Sequence, residues 1–160
     1  MPDDTAPQPR RNVLVVDDNQ GDFILLREAF ATTSEPVDLH HVPDAQSAIR
    51  YLDRQDPYAA AASPNLVLID LGLPPPGGKA VLQHLRKVHR QIPAVVLTGS
   101  TRRLDRDECM HLGAVHYAVK PCYFGDYLAL VGFMTTYMRH RGSDHPHDTP
   151  TPRGSAILQA

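Results

Sequence analysis

Leu66-Val67-Leu68-Ile69-Asp70 decides the reading of this sequence: four unbroken apolar residues ended by an acid. A strand with one wet face alternates apolar and polar residues, whereas an unbroken run belongs to a strand covered on both faces. Working outward, the same pattern recurs. Val13-Leu14-Val15-Val16 precedes Asp17-Asp18, Ala94-Val95-Val96-Leu97 precedes Thr98-Gly99-Ser100, and a strand at 115–119 precedes Lys120-Pro121. A further strand at 37–42 is less apolar, which places it nearer an edge. Helical patterns fill the gaps at 22–33, 44–54, 78–89, 102–112 and 124–141. Asp44 caps the second of these and Gly113 ends the fourth. Strands alternating with helices predict a parallel sheet with helices on both faces. In such folds function sits at the carboxyl ends of the strands.

Read along that edge, four strands deliver Asp17, Asp18, Asp70, Thr98 and Lys120. Taken singly, each has an ordinary structural reading: paired aspartates cap helices or make turns, and Thr-Gly-Ser is a turn sequence. Their joint placement on one edge points to chemistry. Three close carboxylates repel one another unless a cation relieves them. Hard oxygen donors select a hard ion, and Mg²⁺ takes one or two carboxylates together with phosphate oxygens. A carboxylate also serves as a nucleophile that forms an aspartyl-phosphate. Lysine and metal then stabilise charge on the transferring oxygens, and a threonine hydroxyl donates to one of them.

Composition sets outer bounds. A length of 160 residues suits one domain with a core of its own, and a net charge of −2 argues against nucleic acid or an anionic membrane as main partner. No apolar run approaches the length that spans a bilayer. Cys109 and Cys122 fit no metal or disulfide pattern and read as reduced thiols of a cytoplasmic protein. The stretch 1–11 is polar and proline-rich and reads as a flexible lead. The stretch 142–160 is rich in Pro, His, Thr and Gly and reads as a flexible tail without a DNA-binding helix pair.

With these residues in place, the segment 12–141 resembles a response-regulator receiver domain of bacterial two-component signalling. Pro74 and Gly78, four and eight residues past Asp70, and Tyr117, three before Lys120-Pro121, belong to the same set. The segments 13–30, 70–74 and 97–100 are most similar to stand-alone regulators paired with phytochrome-type histidine kinases. The resemblance implies a flavodoxin-like, doubly wound five-stranded parallel sheet in strand order 2-1-3-4-5. It implies that Asp70 is the phosphoacceptor and also a ligand of Mg²⁺, which Asp18 binds directly, Asp17 through water and Gly72 through its backbone carbonyl. It implies that Lys120 pairs with Asp70, that Thr98 moves toward the phosphoryl group, and that Tyr117 changes rotamer as the readout. The Lys120–Pro121 bond is usually cis in this family. Gly72 departs from the polar or bulky residue common two places past the acceptor, which leaves the phosphoryl lifetime open. Gly99 replaces the commoner alanine.

The output expected of such a chain is protein contact or onward phosphorelay, not catalysis on a metabolite. A phosphorylation-independent pseudo-receiver is one rival. An aspartyl-nucleophile phosphatase is another, although it needs a second aspartate where Gly72 stands. In the last helix Phe124, Leu128, Val131 and Met138 form a stripe expected to face the sheet. Tyr123, Tyr127, Leu130, Met134 and Tyr137 form a second, read either as a symmetric dimer contact with the fifth strand or as a wide core face. None of the nine histidines pair at metal-ligand spacing within a helix, and all are read as ordinary polar residues.

Overall fold

The computed structural model describes residues 9–143, with side chains to residue 141. Five strands, β1 (Arg11–Val16), β2 (Val37–Val42), β3 (Leu66–Ile69), β4 (Ala94–Thr98) and β5 (His116–Val119), alternate with α1 (Gln20–Ala31), α2 (Ala45–Leu52), α3 (Gly78–Val88), α4 (Arg103–His111) and α5 (Phe124–Ser143). All pairings are parallel, and the sheet order is β2-β1-β3-β4-β5, as expected. Arg11, placed in the lead by the sequence reading, is the first residue of β1. The remainder of the lead before residue 9 and the tail beyond residue 143 lie outside the described residues.

Period-two alternation distributes the apolar runs between two cores. Leu14, Val16, Val67, Ile69 and Val96 point to the side covered by α2 and α3, while Val13, Val15, Leu66, Leu68, Val95 and Leu97 point to the side covered by α1 and α5. This is why the central runs carry no polar residue. β2, at the edge, has only Val42 fully buried.

Local capping chemistry fixes the helix starts. Asn19 caps α1, its side chain accepting from the backbone of Gly21 and Asp22, so α1 starts at Gln20, ahead of the expected residue 22. Asp44 caps α2 through the Ser47 amide. Gly113, at φ +99°, ends the turn after α4. Among the described residues the cis X–Pro bonds are Asp56–Pro57 and Pro75–Pro76; Lys120–Pro121 is not among them, contrary to the family habit.

The last helix takes the wide-core alternative for most of its second stripe and departs from the expectation for part of its first. Tyr127, Leu130 and Met134, three of the five dimer candidates, are buried in the α1/α5 core with Val131 and Met138. Phe124 and Leu128, expected to face the sheet, are instead exposed at 42% and 39%. Packing against α1 decides the rotation: a helix covered by the sheet and a neighbour buries the face between them. Tyr123 is exposed, and Tyr137 is partly buried with its ring against Phe133.

Candidate functional site

Strand register brings the candidate residues to one edge. Val16 pairs with Ile69, and Thr98 pairs with Val119, so the next residues of β1, β3 and β5 emerge side by side. The Asp70 amide still donates to Val16 carbonyl at 2.9 Å, and the Lys120 amide donates to Thr98 carbonyl at 2.6 Å. The backbone is thus pinned up to the reacting residues themselves.

Asp70 is 6% exposed and both its carboxylate oxygens are engaged. Oδ1 accepts from the Gly72 amide at 2.9 Å and Oδ2 from Lys120 Nζ at 3.0 Å. Asp17 is 2% exposed; its Oδ1 accepts from the Asn19 amide at 2.8 Å, and its Oδ2 lies 3.2 Å from Lys120 Nζ. The His41 ring contacts the Asp17 carbonyl at 2.7 Å and stacks on Phe23. Asp18 is exposed, and its carboxylate joins those of Asp17 and Asp70 in one cluster, with ligand oxygens within 4.8 Å of one another.

The electrostatics follow from burial and charge. Burial pushes the Asp17 carboxyl above the usual carboxylate range, against the Asn19 amide and Lys120, and the neighbouring Asp70 adds to the rise. Burial alone would lower Lys120, but hydrogen bonds to Asp22 and Asp70 and the charge of Asp17 hold it well above its ordinary value. Lys120 therefore remains an ammonium while the cluster is ionised.

Thr98 is buried at the end of β4, and its Oγ accepts from the Ser100 amide at 3.2 Å. Ser100 is a junction: its carbonyl accepts from Tyr117 hydroxyl at 3.0 Å and its Oγ donates to Asp105 Oδ2 at 2.7 Å. Asp105 in turn pairs with Lys79, which also holds Glu108 at 2.6 Å. An open cleft of about 630 Å³ runs beside Asp70 and is lined by Gly72, Gly78, Thr98, Ser100 and Lys120 among others.

Residues 13–131 match the family of the response regulator receiver domain. The chain belongs to this family. Among curated relatives, response regulator Rcp1 of Synechocystis sp. is 34% identical over 99 residues, 61% of this chain and 67% of Rcp1. Among solved structures, the phosphorylated cyanobacterial phytochrome response regulator RcpA superposes with a TM-score of 0.76 at 28% identity, covering 83% of this chain and 96% of RcpA. The Mn²⁺-bound form of Rcp1 superposes at 0.73 with 29% identity, covering 80% and 94%. The receiver is thus related to phytochrome response regulators.

The acidic cluster fits the divalent ion that the family implies. It offers only carboxylate oxygens, and one of its members, Asp18, faces solvent. Such a set suits a hard ion that keeps several waters.

Sequence reasoning overlooked Asp22. From the first turn of α1 it reaches Lys120 Nζ at 2.5 Å and faces Tyr127 hydroxyl at 3.5 Å. An acid in the first helical turn reads as an ordinary favourable charge at a helix N-terminus. Its position five residues past Asp17, on the helix leaving the acidic edge, was the available signal.

Proposed function

We propose that the receiver accepts a phosphoryl group from a histidine kinase onto Asp70, with Mg²⁺ held by Asp17, Asp18, Asp70 and the Gly72 carbonyl, and changes its protein contacts in response. The observation that carries this reading is the position of Asp70 Oδ2 3.0 Å from Lys120 Nζ, inside a cluster shared with Asp17 and Asp18. A carboxylate oxygen of Asp70 attacks phosphorus, the bond from phosphorus to the kinase imidazole breaks, and the imidazole leaves with the electron pair. The bound ion supplies positive charge against the phosphoryl oxygens. Lys120 supplies the second positive charge, and Gly72 and Asn19 hold the carboxylates of Asp70 and Asp17 in fixed orientations through their amides. Water then hydrolyses the acyl phosphate and restores Asp70.

The readout follows from the Ser100 junction. Thr98 moving toward the new phosphoryl group draws on the Ser100 amide, and Ser100 holds both Tyr117 and the α4 residue Asp105. A shift at Thr98 thus bears on the β5 and α4 surface and would change what that surface offers a partner. The likeness to phytochrome response regulators supports a phytochrome-type kinase as donor. The aspartyl-phosphatase alternative lacks its general acid, because position 72 has no side chain.

The test is intact mass after incubation with acetyl phosphate and Mg²⁺. One added phosphoryl group on the natural protein, and none on Asp70→Asn, is expected. Addition to both proteins would move the acceptor elsewhere, and addition to neither would favour the phosphorylation-independent binding module.

A further inference from the structure

The end of the sheet remote from Asp70 holds a second convergence of titratable side chains. α2 and α3 both run back from the carboxyl edge, so their C-termini meet at the amino edge of the strands. Asp53 caps the C-terminus of α2, and its amide is fixed on the Ile49 carbonyl at 2.9 Å. His89 caps the C-terminus of α3, its amide fixed on the Leu85 carbonyl at 2.8 Å. His89 leaves helical geometry at φ −128° and ψ 49°, and its ring centroid lies 5.6 Å from that of His84 within α3. Both imidazoles direct Nε2 at one atom, Asp53 Oδ1, each at 2.8 Å.

We propose that Asp53, His84 and His89 form a binding site for a borderline divalent ion of the Zn²⁺ class. The donor set is two imidazole nitrogens and one carboxylate oxygen, which suits Zn²⁺ and its neighbours rather than the hard ion of the acidic edge. The three ligand atoms lie within 4.8 Å of one another. Ligands of a tetrahedral ion bonded at about 2.0–2.2 Å sit roughly 3.3 Å apart. The oxygen and each nitrogen therefore separate by only about half an ångström from their hydrogen-bonded positions. The side chains are 19–23% exposed, which gives the ion an approach and leaves its fourth position to water.

Binding exchanges two N–H···O hydrogen bonds for metal bonds. Each ring gives up its Nε2 proton to water and holds one on Nδ1, taken from water where the ring starts as the neutral Nε2–H form, so that a neutral imidazole presents the Nε2 lone pair. The rigid caps mean that little ordering is required at that moment. The consequence is a clip between the C-terminal ends of α2 and α3, formed only in the folded chain and so stabilising it. Spacing hid this site: His84 and His89 stand five apart, and their third partner lies thirty-one residues from the first.

The test is equilibrium dialysis of Zn²⁺ against the full chain in excess Mg²⁺, which occupies the acidic edge. The natural protein is compared with His84→Gln/His89→Gln, with Asp53→Asn and with Asp70→Asn, after circular dichroism has checked that each is folded. One Zn²⁺ equivalent is expected on the natural protein and on Asp70→Asn. In the cluster variants its affinity falls by about 100-fold or more, since even outer-shell changes cost roughly 10–100-fold. Co²⁺ in place of Zn²⁺ gives visible absorption bands that the cluster variants lose. Absence of that equivalent on the natural protein, its persistence in both cluster variants, or its loss with Asp70→Asn alone would overturn the assignment.

Discussion

Lys120 Nζ sits closer to Asp22 Oδ2, at 2.5 Å, than to Asp70 Oδ2, at 3.0 Å. The lysine is thus shared between the phosphoacceptor and an acid of α1, with Asp17 as third neighbour at 3.2 Å. One ammonium compensates three carboxylates, each largely removed from water. A charge arriving on Asp70 competes with Asp22 for the same group.

Removing that ammonium strands the carboxylates, so Lys120→Met is expected to cost about 3 kcal/mol near neutral pH, the lower end for a broken buried pair because the lysine is partly exposed. The sign with pH is fixed by the shifts. Asp17 is already raised by burial, and losing Lys120 raises it further. A raised folded pKa gives stability that is full at low pH and lost as pH rises through it. The deficit of the variant therefore shrinks as pH falls from neutral toward about 5. In the natural protein Lys120 is itself raised, so its contribution is full below its ordinary 10.5 and lost in stronger alkali. Urea unfolding of both proteins across this range checks the prediction; a pH-independent difference contradicts it. On the proposed Mg²⁺ site, millimolar Mg²⁺ should narrow the gap, because a cation held by the folded cluster replaces positive charge that only the variant lacks.

Gly72 places no side chain beside the Asp70 carboxylate. A Cβ at position 72 would stand 3.4 Å from Asp70 Oδ1, an ordinary contact, and the glycine has no left-handed φ to forbid a side chain. Gly72→Val is therefore expected to fold normally, accept phosphoryl from acetyl phosphate, and lose it severalfold more slowly as bulk excludes attacking water. Loss of the phosphoryl mass over time reads this directly, and an unchanged lifetime would show that water approaches from another side.

What the sequence disclosed, and what it hid, divides along local and distant chemistry. The runs 13–16, 66–69 and 94–97 announced buried central strands because both faces of such a strand must be apolar. Asp44 and Gly113 were legible because capping acts within a few residues. The acids and Lys120 were legible because each follows directly on a strand. Asp22 was not, since its partner lies 98 residues away and nothing local distinguishes it. Both stripes of α5 were apolar enough to be core, and only packing against α1 settled that Val131 and Met138 of one and Tyr127, Leu130 and Met134 of the other are buried together.

That settlement is measurable. Met134, from the stripe that the sequence left open between a dimer contact and a wide core face, is 0% exposed, and its neighbour Phe133 is 37% exposed. Met134→Ala should destabilise by about 3 kcal/mol through transfer and cavity costs. Phe133→Ala, on the outward face, should cost less than about 1 kcal/mol in the monomer. Chemical unfolding at low protein concentration distinguishes them, and equal costs would mean that α5 is turned otherwise than described.

Gly78 carries a tighter constraint than its place in the motif discloses. It opens α3 directly beneath the phosphoacceptor, where a Cβ would collide with the Asp70 carbonyl oxygen and press on the Ile69 side chain at 3.0 Å. Both obstacles belong to the end of β3, whose backbone is tied to β1 by the bond from Asp70 amide to Val16 carbonyl. Neither can yield without moving the carboxylate. Gly78→Ala should therefore act twice: it destabilises by about 1–3 kcal/mol as overpacking does, and it weakens phosphoryl acceptance in molecules that remain folded. Gly99 supplies the internal control, because a Cβ there meets nothing within 4 Å. Gly99→Ala should leave both stability and acceptance close to natural. Urea unfolding and intact mass after acetyl phosphate, run on both variants, check the pair; a Gly78→Ala protein as stable and as readily phosphorylated as Gly99→Ala would mean that α3 is not seated against Asp70 as closely as the structure places it.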